Sequence, residues 1–157
     1  MITLRMPQLT EEEARAPHWM SIVLWLAAAY NILWGAWIVL FPLSAFHLLH
    51  MTPPNYPQIW QCVGMVVGVY GIGYGCAALD PYRQWPIVLV GLLGKLFGPL
   101  GFLMAVLQRQ LPLRFGCLLL TNDFPWWIPF GLILYGSLKA YRSALRRDNC
   151  LNSDLSD

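Results

Sequence analysis

The chain has 157 residues, 57% hydrophobic and only 11% charged, where an ordinary soluble domain is about 25% charged. With a mean hydropathy of +0.50, this describes one compact polytopic membrane domain. A net charge of +2, with no basic cluster among aromatics, excludes a nucleic-acid binder.

Residues 1–17 carry Arg5, Glu11, Glu12, Glu13 and Arg15 ahead of the first apolar run. That run is long and no small-residue cleavage site follows it, so it reads as an anchor and not as a signal peptide. Residues 1–17 are expected to be a solvated tail, with Thr10 and the acids behind it resembling a helix start. The first spanning helix is expected over 18–40. On it Ala28, Asn31 and Gly35 share one small-residue face. Residues 41–57 are broken by Pro42, Pro53, Pro54 and Pro57, with a short interfacial helix expected within 43–51. His47 and His50 lie three apart there, but no third ligand stands nearby and no metal site is assigned.

The second spanning helix is expected over 58–79. Gln61, Gly64, Gly68, Gly71, Gly75 and Ala78 recur every three or four residues and line one nearly bare face. In lipid such faces allow close helix packing, so Gly64, Gly68, Gly71 and Gly75 read as a packing seam. Tyr70 and Tyr74 lie off it. Residues 80–84 form a tight charged loop.

The third helix, 85–107, reads WPIVLVGLLGKLFGPLGFLMAVL. It is long enough, at roughly 34 Å, to cross a bilayer. Its one charge, Lys95, is costly there and must face protein or water. Gly94, Gly98 and Gly101 suggest a second seam. Pro99 is expected to kink the helix and free carbonyls that help satisfy the Lys95 ammonium.

Residues 108–123 hold Arg109 and Arg114, then an apolar run too short to span, and read as a re-entrant or interfacial segment. Asp123 is expected to N-cap a fourth helix over 124–142, followed by a second polar tail, 143–157. The fold class is therefore all-α: a four-transmembrane-helix bundle over 18–142. The four cysteines form no CxxC, and whether Cys62 pairs with Cys117 stays open.

Seven basic residues (Arg5, Arg15, Arg83, Lys139, Arg142, Arg146, Arg147) fall on one side of this topology, against Arg109 and Arg114 on the other. The positive-inside rule then puts both termini in the cytoplasm. Of eight acids, only Asp80 and Asp123 lie near the bundle. Depth places Lys95 nearer Asp123 than Asp80. Asn31, Gln61, Tyr70 and Asn122 complete an expected ligand-binding or buried polar network with that pair. It serves either to fix helix register or to form the polar end of an outward-opening pocket.

The runs WQCVGMVVGVYGIGY, DPYRQWPIVLVGLLGKLFGPLGF and TNDFPWWIPFGLIL resemble a small bacterial family of four-helix integral membrane proteins of unassigned activity. In layout alone the chain is similar to DoxX-like proteins. The resemblance implies a bacterial inner-membrane protein and supplies no catalytic residues. Three functions are weighed. The first is binding or carrying a lipophilic small molecule of quinone, isoprenoid or pigment type in a pocket that ends at Lys95. The second is an accessory subunit of a larger membrane complex, expected as a packed bundle without a pocket. The third is an intramembrane enzyme using Lys95 and Asp123. The partners implied are membrane lipid, a lipophilic ligand, and a second copy or a larger complex; the cofactor is unknown.

Overall fold

The computed structural model describes residues 8–154; positions 1–7 and 155–157 of the two expected tails lie outside the described residues. Four helical stretches are long and apolar enough to cross a membrane. In chain order they are α1 (His18–Leu40), a short α2 (Ser44–Leu48), α3 (Pro57–Leu79), α4 (Trp85–Leu107), and an interrupted fourth stretch. The last consists of a 3-10 turn (Leu113–Phe115), α5 (Gly116–Asn122) and α6 (Phe124–Asp154). Prolines mark three starts: Pro17 before α1, Pro57 heading α3 and Pro86 in the first turn of α4. The first turn of a helix leaves N–H groups unpaired, so a proline loses nothing there.

The closest approach is α1 on α3. A Cβ at Gly35 would lie 2.5 Å from the Gly64 carbonyl oxygen and 2.9 Å from the Gly68 nitrogen. One at Gly71 would lie 2.8 Å from Ile32 Cγ1. Backbone meets backbone here, which only glycine permits, and in lipid this contact replaces the hydrophobic drive of water-soluble cores. The expected second seam is a different matter. A Cβ at Gly94 would meet only the Tyr70 hydroxyl at 3.9 Å, one at Gly98 the Asp123 Oδ2 at 3.4 Å, and one at Gly101 nothing within 4 Å. Gly94, Gly98 and Gly101 therefore make no helix seam, because α4 turns this face toward polar side chains and open space. The α4 glycine that close packing requires is Gly91, where a Cβ would overlap the Tyr74 ring.

Along the bundle axis the interior has three layers. Toward the chain termini an apolar core joins Leu24, Ala27 and Ala28 of α1 to Tyr74 and Ala77 of α3, Val88 of α4, and Phe130 and Ile133 of α6. At the opposite end Trp60 stands edge-on to Trp34, Phe46 and Phe115, and Phe102 stacks on Phe115. This aromatic group ties α1, α2, α3, α4 and the 3-10 turn together. Between core and aromatic group lies the polar layer described below.

The fourth stretch corrects two expectations. Residues 113–122, expected as a re-entrant or interfacial segment, form the 3-10 turn and α5. They lead into α6 through Asp123 alone, whose backbone stays right-handed (φ −113°, ψ −54°). Asp123 is not a side-chain N-cap, because its Oδ1 accepts from Asn122 Nδ2 at 3.0 Å. And α6 does not stop at Arg142 but continues to Asp154. Its buried stripe of Phe130, Ile133, Ser137 and Ala144 keeps helical spacing past the expected end.

The tail expected over 1–17 is also packed where it is described. Leu9 is 6% exposed. Thr10 and Glu13 cap each other: the Thr10 N–H donates to Glu13 Oε2 at 2.9 Å and the Glu13 N–H to Thr10 Oγ1 at 3.3 Å. Arg147 of α6 donates to Glu13 and to the Gln8 carbonyl, and Arg83 of the α3–α4 loop to the Leu9 carbonyl and Glu11. Only a single turn forms at 11–14.

Candidate functional site

Lys95 sits near the middle of α4, 5% exposed, and Asp123 is 4% exposed. The Lys95 ammonium stands 3.7 Å from Asp123 Oδ1 and donates to the Asn122 carbonyl at 2.6 Å. Why that carbonyl is available follows from the sequence. A regular helix would pair the Asn122 carbonyl with the N–H of residue 126. At the interruption the Trp126 N–H instead donates to the Asp123 carbonyl at 3.2 Å. Pro125, next to it, has no N–H at all. The Asn122 carbonyl is left for the lysine.

The mirror arrangement holds on α4. Pro99 lies four residues beyond Lys95 and brings no N–H to the Lys95 carbonyl. That carbonyl accepts from Trp127 Nε1 at 3.0 Å. Pro99 does free a carbonyl, as expected, but it is Lys95's own, and an indole takes it; the ammonium is served by the other helix. Two helix irregularities thus face each other at mid-bundle, each supplying the partner that the other lacks. Backbone irregularity at such a depth is tolerated where its groups are satisfied by protein. Gly98 leaves room for the Asp123 carboxylate beside α4.

Next to this pair is a cavity of about 280 Å³. Asn31 comes from α1, Val66, Val67, Tyr70 and Tyr74 from α3, Gly91, Gly94 and Lys95 from α4, and Asn122 and Asp123 from the interruption. The structure brings together five of the six residues singled out as a polar network: Asn31, Tyr70, Lys95, Asn122 and Asp123. Gln61 is not among them. It lies a helix turn from the start of α3, where its Nε2 donates to the Val39 carbonyl at 2.8 Å, so it closes the end of α1. A long side chain near a helix terminus finds a free carbonyl within reach before it reaches the bundle centre.

Asn31 is 1% exposed, and its Oδ1 has no partner. The Asn122 Oδ1 is likewise unpaired. A buried amide without a partner costs about 1–3 kcal/mol, so this layer is less stable than an apolar one would be. Tyr70 is shared with a second, apolar groove of about 340 Å³ along the α3–α4 seam, lined by Val69, Gly73, Pro86, Ile87 and Val90.

The residues missed by sequence reasoning are Tyr74, Gly91 and Trp127. Tyr74 and Tyr70 are spaced four apart, which signals a shared face, but not what the face meets. For Trp127 the available signal was the proline four residues after a buried lysine, which leaves a carbonyl in need of a donor. No three His, Cys, Asp or Glu side chains gather into a metal site among the described residues. Cys62 and Cys117 are both free and exposed. No protein family, curated protein or solved structure matches this chain.

Proposed function

We propose that the chain is a multi-pass inner-membrane protein of bacterial type, with cytoplasmic termini, that binds or carries a lipophilic small molecule through the mid-bundle cavity. The ligand class is a ring or head bearing carbonyl or hydroxyl groups, with an apolar body: a quinone, isoprenoid or pigment. The observation that carries this is the unpartnered Asn31 amide, 1% exposed, in the wall of the same cavity as the Lys95–Asp123 pair. A register-fixing network satisfies its members, whereas here one wall keeps hydrogen-bonding capacity unspent. Polar groups converging on a largely apolar cavity are the ordinary form of a small-molecule site. Tyr70 borders both the cavity and the α3–α4 groove, which suits a ligand arriving from lipid with its head inward and its tail along the seam. An accessory subunit does not call for such a cavity. Proton-transfer catalysis is less well served, since the Lys95 ammonium and the Asp123 carboxylate are each engaged with Asn122.

The test is native mass spectrometry after mild solubilisation, with solvent extraction of the retained molecules, and titration with a short-chain quinone. Wild type should retain a neutral amphiphile or bind the quinone. Asn31→Leu should lose it while keeping its helical circular dichroism. A wild-type protein that carries no such molecule and does not bind the probe refutes the reading, as does an Asn31→Leu protein that binds as well as wild type.

A further inference from the structure

A second site lies on the other side of α4. Between α4 and the α5–α6 stretch runs a groove of about 580 Å³, more than twice the volume of the polar cavity. Leu96, Pro99, Leu103, Leu113, Leu120 and Phe124 represent its lining, which is apolar almost throughout. Its inner end is closed by Trp127, whose indole N–H is already committed to the Lys95 carbonyl. Of the lining side chains only Cys117, with its thiol, and Trp127, with its committed indole, carry a heteroatom, and a hydrocarbon chain is what such a surface accepts. From Leu96 to Leu103 it follows about 10 Å of α4, from mid-bundle to the helix end.

At that outer end stand two arginines. Arg109 follows the end of α4 in a left-handed conformation (φ 58°), and Arg114 is the middle residue of the 3-10 turn, next to Leu113 of the groove lining. Both are exposed, and neither side chain makes a hydrogen bond or ion pair among the described residues. Among the described residues no carboxylate pairs with them: Asp123 is bound to Asn122 and Lys95, Asp148 to Arg147, and Asp80 and the N-terminal glutamates lie at the opposite end. The Arg109 backbone is held by the Schellman-type bond that follows it, Gln110 N–H to the Ala105 carbonyl at 2.8 Å, so its position is set by the helix end.

We propose that this groove with its two arginines is a binding site for an anionic glycerophospholipid, one acyl chain lying between α4 and α5 and the phosphate held between Arg109 and Arg114. Charge complementarity selects the lipid: a zwitterionic headgroup brings its own cation to a place that already has two. The site is separate from the polar cavity, with Lys95, Asn122 and Asp123 between them.

The experiment uses delipidated protein offered equal amounts of phosphatidylglycerol and phosphatidylcholine, with retained lipid counted by native mass spectrometry. Near an anionic lipid each basic residue contributes enough that two together give a preference of roughly thirtyfold. Wild type should retain one phosphatidylglycerol with about that preference, and the preference should fall as salt rises. The Arg109→Gln/Arg114→Gln protein should retain the two lipids nearly equally. Cys117→Trp, which fills the groove, should lose the lipid. Asn31→Leu should retain it as wild type does, whether or not the proposed cavity ligand exists. Equal retention of the two lipids by wild type, a salt-independent preference, an unchanged preference in the double arginine variant, or loss in Asn31→Leu overturns the proposal.

Discussion

Trp127 and Pro99 should be energetically coupled although they do not bond to each other. Pro99 deprives the Lys95 carbonyl of its helical donor, and Trp127 Nε1 replaces that donor at 3.0 Å. Trp127→Phe removes the N–H and strands a carbonyl in a largely buried place, at about 1–3 kcal/mol. Side-chain hydrogen bonds inside membranes average about 0.6 and reach about 1.7 kcal/mol, so the lower part of that range applies, about 1–1.5 kcal/mol on top of the lost indole packing. Pro99→Ala returns an N–H at the position that pairs with the Lys95 carbonyl. In that background Trp127→Phe should cost the packing term only. Unfolding equilibria of the four proteins, measured by SDS titration in mixed micelles, give the coupling directly. A coupling of about 1 kcal/mol is expected, with the double variant more stable than the sum of its parts predicts. Additivity within about 0.5 kcal/mol would mean that the indole does not replace the missing helical bond, and the account of the paired irregularities would fall.

Four further outcomes follow from the same structure. Asp123→Asn leaves the Lys95 ammonium buried without its counter-charge and should destabilise by about 3 kcal/mol in the same titration, whereas Lys95→Met with Asp123→Leu should recover most of that loss. Asn31→Leu replaces an unpaired amide with an apolar side chain of similar size and should leave stability unchanged or raise it by about 1 kcal/mol while abolishing ligand retention; a loss of stability would make Asn31 structural. Gly91→Ala forces a methyl into the Tyr74 ring and should cost about 1–3 kcal/mol, while Gly101→Ala, with nothing within 4 Å, should stabilise by up to about 1 kcal/mol; equal effects would refute the assigned packing. The Thr10 backbone N–H, helped by the Thr10 hydroxyl and Arg147, holds the Glu13 carboxyl below its ordinary value of 4.5. A lowered acid stabilises the folded form above its unfolded value and ceases to do so as pH falls through the folded value. Proteolytic protection of residues 8–15 should therefore be full at pH 7 and decline at some point below pH 4.5, and a decline that is unchanged in Glu13→Gln would refute the role of Glu13.

Helix existence was legible in the sequence because it depends on local quantities. Apolar runs of spanning length, prolines at helix starts and a glycine every third or fourth residue on α3 need no knowledge of neighbours. The pairing of Lys95 with Asp123 was legible by depth and scarcity, since few acids lie near the bundle. Where a feature depended on what stood opposite, reading failed. The glycines of α4 have the same spacing as those of α3, yet they border a cavity and a carboxylate. Gln61 has the right side chain for the polar layer, but a free carbonyl of α1 lies nearer. The end of α6 was misplaced because charged residues read as tail, although Ala144 between them is buried and Arg147 binds the N-terminal segment.

By itself, then, the sequence determined the class, the number of spans and the buried lysine, because bilayer length and the cost of desolvating an ammonium act on a single helix at a time. Only the tertiary structure decided which carbonyl serves which donor at mid-bundle. Pro99 and Pro125 announce missing N–H groups in the sequence, but a missing donor does not name its replacement. That choice is made where two irregular helices meet: the gap in each is filled by a side chain of the other, and beside them a buried amide is left with no partner in the chain.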